Sequence, residues 1–443
     1  MKLDTKRTVL VGFAFLAICA FWQMYDGLIP KMLIETFGLK ESVSGYIMAA
    51  DNVLALFLLP LFGGLSDKCR AKMGKRRPFI LVGTLVAVAV MITLPLLDNS
   101  YFAAPESWKI TAFIVMLGLV LIAMGTYRSP AVALMPDVTP KPLRSKANAV
   151  INLMGAIGGV LYLALTSLLY SKSKTGGLAH IDYSMLFIIV GGIMLLALVV
   201  LMLFVDEPKL AARQAEYEAA HPEDNLIEVT EEKGEVMPKS VKKSLIFLLF
   251  SIAFWFIGYN GITTWFTTYA KEVWNMDIGA ASLCLTIASV GAIVSYIPVG
   301  NIASKVGRRK TILFGVLLLS ASFAGGFIYT VFANSFHPAL YILFILVGVA
   351  WAAINVNSLP MVVEMCKGSD IGKFTGLYYT FSMSAQIITP IIAGYLLENI
   401  NYKILFLYSA LTVFVAFITM LFVRHGDNKI VAKKGIEAFD VED

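Results

Sequence analysis

Apolar residues run almost unbroken through twelve stretches of the chain, at 8–30, 43–65, 78–97, 109–135, 147–170, 184–205, 244–270, 279–301, 311–332, 338–362, 374–397 and 403–424. Each is about 20 residues or longer, the length an α-helix needs to cross roughly 30 Å of hydrocarbon. Short polar segments separate them. Lipid cannot satisfy backbone N–H and C=O groups, so such stretches must satisfy their own as helices. The pattern predicts an all-α polytopic membrane protein with twelve transmembrane helices. Composition agrees, since 58% of the 443 residues are hydrophobic and 15% charged, against about 25% charged in a soluble domain.

Lys2, Lys6 and Arg7 precede the first stretch, as in a secretory leader. The apolar run is too long for a leader core and no small-residue cleavage site follows it, so it reads as a span. Cys19, Cys69, Cys284 and Cys366 show no ligand or disulfide spacing, and serve as small apolar residues. The net charge of +6 is not a nucleic-acid signal, because the cations sort by side. With the N-terminus assigned to the cytoplasm, that side holds 28 Lys and Arg, the opposite loops hold 7, and Arg128 is the remaining one. This bias predicts a multi-pass cell-membrane protein with both termini cytoplasmic.

A polar stretch at 206–243, with ten acidic residues, divides the spans six and six. The expected domains are a half at 1–205, a cytoplasmic linker at 206–243, a half at 244–424 and a cytoplasmic tail at 425–443. Residues 208–220 have helix-forming composition, and read as a solvated linker helix without a binding role. The halves echo each other. Gly64-Leu65-Ser66-Asp67 and Gly74-Lys75-Arg76-Arg77 follow the second span; Gly300 through Ser304, then Gly307-Arg308-Arg309, follow the eighth. Leu134-Met135-Pro136-Asp137 with Arg144 likewise matches Met361-Val362-Val363-Glu364 with Lys373. Repeats of this kind build many secondary transporters, with the substrate site near the midplane at the repeat interface.

The loop after the second span resembles the signature of the major facilitator superfamily. Its form here, Ser66-Asp67-Lys68-Cys69 followed by Gly74-Lys75-Arg76-Arg77-Pro78-Phe79-Ile80, is similar to the sucrose:proton symporter branch of the glycoside–pentoside–hexuronide:cation symporters. Trp22-Gln23 with Pro30 resembles the same branch. The resemblance implies a two-half, twelve-helix carrier fold and sugar transport coupled to a cation. Melibiose-type sodium symporters of the wider family carry paired aspartates low in the second span and a lysine in the eleventh. Leu54 to Leu61 is apolar apart from Pro60, and 374–397 contains no lysine. Sodium coupling of that design is therefore not expected.

Three ionisable residues lie within the apolar stretches: Asp26, Asp51 and Arg128. Charges at membrane depth are costly and mark functional paths. At 1.5 Å per residue, Asp26 stands roughly 28 Å above Arg7, Asp51 roughly 24 Å above Asp67, and Arg128 about 12 Å above Pro136. The aspartates are then level in the outer half, with Arg128 lower and no direct Asp51–Arg128 bridge expected. Gln23, Asp26, Gly27 and Pro30 form one polar helix face. Asp51, with Asp26 assisting, is the expected proton-coupling pair; the bland reading of Asp26 is an interfacial residue reaching water. Arg128 keeps its charge and suits hydroxyl or carboxylate oxygens; its bland reading is a snorkelling cation.

A sugar site needs hydrogen-bonding groups and aromatic faces. Candidates are Gln23, Arg128, Trp255, Tyr259, Asn260, Asn355, Tyr379 and Gln386, in helical stripes that also include Thr263, Trp351, Ser358 and Ser382. Asn148, Asn152, Gly155, Gly159 and Tyr162 share a face of the fifth span, where Gly155 and Gly159 would permit close helix contact. On the cytoplasmic side, Asp67 with Arg76 and Arg77, Asp137 with Arg144, and Glu364 opposite Arg308 and Arg309 can pair across the halves as a gate. All four histidines (His180, His221, His337 and His425) fall in loops or the tail, which excludes an intramembrane histidine relay.

No phosphate loop, metal-ligand cluster or catalytic domain is apparent, so the expectation is a transporter and not an enzyme. No cofactor or metal is expected; the coupling ion is H+. The expected partners are a small sugar and the bilayer, with no nucleic acid, and the chain acting as a monomer. The favoured reading is proton-coupled sugar or glycoside symport by alternating access. Its rivals are a proton-coupled exporter of drugs or other small molecules, and a non-transporting sensor signalling through 206–243 and the tail.

Overall fold

The computed structural model describes the backbone of residues 4–140, 143–220, 237–333, 335–365 and 371–427. Among these, twelve helices are long and apolar enough to cross a membrane: Thr5–Glu35, Glu41–Asp67, Arg77–Ala103, Ser107–Asp137, Ala147–Leu169, Ser184–Phe204, Lys239–Trp274, Ile278–Ala303, Arg308–Phe332, Leu340–Val363, Phe374–Asn399 and Ile404–Leu421. They are called spans one to twelve below. Each coincides with an apolar stretch of the sequence. Span three is two helices, Arg77–Met91 and Thr93–Ala103, joined at Ile92.

The chain forms two compact units, Met1–Asp224 and Asn225–Asp443. In the first, span one packs on spans five and six, span two on span four, and span three on span four. In the second, the same pairs recur six spans later: seven on eleven and twelve, eight on ten, nine on ten. Close approach depends on small residues, as expected where lipid supplies no hydrophobic drive between helices. A Cβ on Gly158 would stand 2.0 Å from the Leu16 carbonyl oxygen, and one on Gly348 2.1 Å from that of Ala288. The tight glycines of span five are thus Gly155 and Gly158. At Gly159, expected in that role, a Cβ would meet only the Gln23 Oε1, at an ordinary contact distance of 3.7 Å.

The segment after span six, expected as a solvated linker, is not a solvated tether over its described part. Its helix, Glu207–Ala220, docks on the first unit, with Glu207 and Leu210 buried. The Glu207 carboxylate accepts from the backbone N–H groups of Lys75 (2.7 Å), Arg76 (3.0 Å) and Arg77 (3.0 Å). These are the orphan donors at the start of span three, where the helix dipole favours an anion. Gly74 has φ +112°, and a Cβ there would collide with Glu207. The second unit repeats the device: Gly307 has φ +101°, and Asp427 accepts from the Arg308 N–H at 2.6 Å. Glycine precedes the basic pair in both loops because the chain turns there into a capped helix.

Candidate functional site

In the first unit, the chemistry gathers around span one. Asp26 lies nine residues from the Glu35 end of its span and Asp51 ten from the Glu41 end of span two, so both stand about 14–15 Å in from these helix ends at the usual rise. They are within electrostatic reach of each other. Asp51 Oδ1 accepts from the Asn52 N–H (2.6 Å) and from Asn52 Nδ2 (2.8 Å). Tyr25, buried between neighbours, has its hydroxyl in reach of both carboxylates and without a hydrogen-bond partner among the described residues. Tyr162 of span five feels the charge of Asp26, and its hydroxyl lies against Gly27.

Arg128 reaches this group through its side chain and, in line with the lower depth counted along its helix, makes no direct bridge to Asp51. The half-buried guanidinium lies 5.6 Å from the centroid of the Trp22 ring and acts electrostatically on Asp51 without hydrogen-bonding to it. Helix counting places Cα atoms, whereas the flexible stem of arginine carries its charge well away from the backbone. Trp22 itself is set edge-on by Phe21 (5.2 Å, 79°) and Tyr25 (5.4 Å, 81°). Trp22, Tyr25 and Tyr162 were not among the predicted site residues; Trp22 stands one turn before Asp26 at the helical spacing that could have flagged it.

In the second unit, Tyr259 of span seven stacks face to face on Trp351 of span ten, with centroids 3.7 Å apart and planes 5° apart. Phe256 packs its edge on Trp351 (5.4 Å) and on Tyr378 (6.4 Å), which in turn meets Tyr379 edge-on (5.5 Å). The Tyr378 hydroxyl lies 3.2 Å from that of Ser358. Asn355 is 4% exposed, while Tyr259, Asn260, Tyr379 and Gln386 are half-buried. Asn260 already donates to the Phe256 carbonyl at 2.9 Å, so its amide is partly used by its own helix. Trp255 is wholly buried, and its Nε1 has no hydrogen-bond partner among the described residues. Its neighbours on span seven, Phe256 and Tyr259, are the ones that meet Trp351 of span ten.

The loop charges pair inside each unit, Asp67 with Arg76 and Glu364 with Arg308 as expected and Asp137 with a different partner. Arg76 binds both Asp67 (2.5 Å) and Asp137 (2.7 Å), so Asp137 takes Arg76 rather than Arg144, whose side chain lies outside the described residues. Burial works against the Arg76 charge, yet the hydrogen bonds and charges of Asp137 and Asp67 hold its guanidinium above the ordinary arginine range. Arg77 turns away to the Met202 carbonyl. In the second unit Arg308 binds Glu364, and Arg309 donates to the Leu421 carbonyl at 2.9 Å. Arg76 and Arg308, and Arg77 and Arg309, therefore hold equivalent places.

The model of the Major Facilitator Superfamily matches residues 11–280 and again 269–439. The chain belongs to this superfamily. It is a multi-pass membrane protein of the all-α, twelve-span type, and the repeated match agrees with the repeated packing. Sucrose transport protein SUC3 of Arabidopsis thaliana is 34% identical over 140 residues, 29% of this chain and 24% of that protein. Solute carrier family 45 member 4 of Mus musculus is 24% identical over 218 residues, 48% of this chain and 28% of that protein. The matches thus cover about a quarter of these relatives' length. Among solved structures, the inward open xylose transporter XylE from E. coli superposes with a TM-score of 0.69 at 16% identity, covering 95% of this chain and 96% of that one. The nucleoside transporter NupG gives 0.67 at 14%, covering 94% and 100%. At such identity these likenesses concern the fold.

Proposed function

We propose that the protein is a proton-coupled symporter of a sugar or glycoside, working by alternating access in the cell membrane with both termini cytoplasmic. The observation that carries the reading is the pair of intramembrane carboxylates, Asp26 and Asp51, in reach of each other, with the Arg128 guanidinium acting on Asp51. Two carboxylates and one fixed cation leave one negative charge to be neutralised, and a proton does this without a metal cage. Span two lacks a further carboxylate beside Asp51, which favours H+ over Na+. The sugar half of the reading draws support from the similarity to sucrose transport proteins. It draws further support from the Tyr259–Trp351 stack, with Asn355 one turn along span ten from Trp351, since amides beside aromatic rings suit hydroxyl-rich solutes; Gln386 of span eleven is the further amide assigned to the solute.

In this scheme the protonated Asp51 and the sugar bind together, and the empty carrier returns after both are released. Arg128 contributes a planar donor fork for sugar oxygens. The test is sugar-induced proton flux: sucrose added outside proteoliposomes carrying a trapped pH dye should acidify their lumen. Sucrose uptake with no lumenal pH change would overturn the coupling. Absence of a signal for sucrose and for a panel of other sugars and glycosides would overturn the substrate class.

A further inference from the structure

Arg128 has two kinds of partner within range. One is the face of Trp22, 5.6 Å from the guanidinium; the other is the carboxylate of Asp51. A planar guanidinium and a carboxylate form a strong, geometrically matched pair, so contact with Asp51 would be the default in a water-poor site. The structure shows the ring occupied and the carboxylate only felt at a distance. We propose that Trp22 is a positioning residue of this site: its indole face holds the Arg128 guanidinium and keeps it from closing onto the Asp51 carboxylate.

The consequence is chemical. A carboxylate in contact with arginine stays charged and cannot pick up a transported proton. An aromatic face attracts the cation through its quadrupole and has no proton to exchange. Trp22 thus leaves Asp51 open to protonation while retaining the arginine nearby. Phe21 and Tyr25 pack against the ring at near-perpendicular angles of 79° and 81° and fix its place beside the cation. Its Nε1 is buried with no hydrogen-bond partner among the described residues, so no hydrogen bond of its own orients it. Trp22 and Asp26 stand four residues apart on span one and share a face; a movement of that helix shifts ring and carboxylate together. The other groups bearing on Asp51 are Tyr25 and Asp26 of span one and its own neighbour Asn52. Tyr162 of span five bears on Asp26.

The inference rests on the reading that Asp51 carries the proton, and its test is separate from transport. Infrared difference spectra of purified protein titrated with acid would give the protonation midpoint of Asp51, its carboxyl band being the one lost in Asp51→Asn. In Trp22→Leu the midpoint should fall by about one pH unit, a tenfold loss of proton affinity, while Trp22→Phe, which keeps a ring face, should move it by less than about half as much. In an Arg128→Gln background, Trp22→Leu should produce no further change. A parent-like midpoint in folded Trp22→Leu would overturn the proposal. So would an equal shift in Trp22→Phe, or a shift that persists without Arg128, since both point to packing. Should Trp22→Leu not fold, Trp22→Met is of similar length and also lacks the face. If no band assigned to Asp51 titrates in the parent protein, the coupling reading fails and this proposal with it. If the band titrates and no sugar is carried, only the substrate reading fails.

Discussion

Replacing Glu207 with alanine removes a carboxylate that serves three consecutive backbone donors at the start of span three, at 2.7–3.1 Å. Glu207 is 3% exposed, so solvent screens these bonds little. Hydrogen bonds to a charged group contribute about 1.5–3 kcal/mol each. Three on one carboxylate are not additive, and at a helix end water can enter once the side chain is gone. A net loss of about 2–3 kcal/mol follows, most of it in the docking of the Glu207–Ala220 helix and the first turn of span three. Hydrogen exchange reads this directly. The amides of residues 75–77 and of the linker helix should exchange about 30- to 150-fold faster in Glu207→Ala, since 1.36 kcal/mol is one decade. Glu207→Gln retains an acceptor and should lose roughly half as much free energy. Asp427→Ala should loosen the start of span nine and leave residues 75–77 untouched. Exchange of those amides within about threefold of the parent in Glu207→Ala would refute the docking role.

Asp51→Asn should abolish gradient-driven accumulation while leaving substrate exchange across the membrane intact, and Asp26→Asn should weaken accumulation without abolishing it; flux assays in proteoliposomes separate the two. Removal of sodium at fixed pH and membrane potential should leave uptake unchanged. Asn355→Ala and Gln386→Ala should each weaken binding of the transported solute by about 1–3 kcal/mol, the effect of leaving a hydroxyl unpaired in a dry site, as measured by calorimetry on purified protein. Burial holds the His180 imidazole below its ordinary 6.5, outweighing the pull of Asp182 and Glu35. The folded protein therefore favours the neutral ring. Its contribution is full above pH 6.5 and fades as the pH falls from there toward the lowered folded value. Exchange around residues 176–183 should speed up over that window, and His180→Gln should flatten the dependence.

The spans were legible because twelve apolar runs and the side bias of basic residues leave few alternatives to a two-half helical bundle. The equivalence of the basic loops was legible too, since Asp137 and Glu364, and Arg76 and Arg308, recur at matching places. Two kinds of feature were not. Side-chain reach was one: helix counting put Arg128 below Asp51, and only the fold brings its guanidinium to Trp22. Partner choice was the other. Nothing in the run from Asp206 to Ala220 distinguishes a solvated helix from one whose first carboxylate caps another helix 130 residues away. Burial also separated Trp255 from Tyr259, which lie on one helical stripe; a stripe is a little too wide to say which member faces the neighbouring span.

The central claim, that two intramembrane carboxylates couple proton entry to sugar entry, is tested most directly by uptake of a labelled sugar panel into proteoliposomes, with and without an imposed acid-outside gradient. The account predicts that at least one sugar or glycoside accumulates above its external concentration only while the gradient lasts. A protonophore should collapse it, and Asp51→Asn should merely equilibrate it. Accumulation indifferent to the gradient, or extrusion of solute under it, would contradict the account.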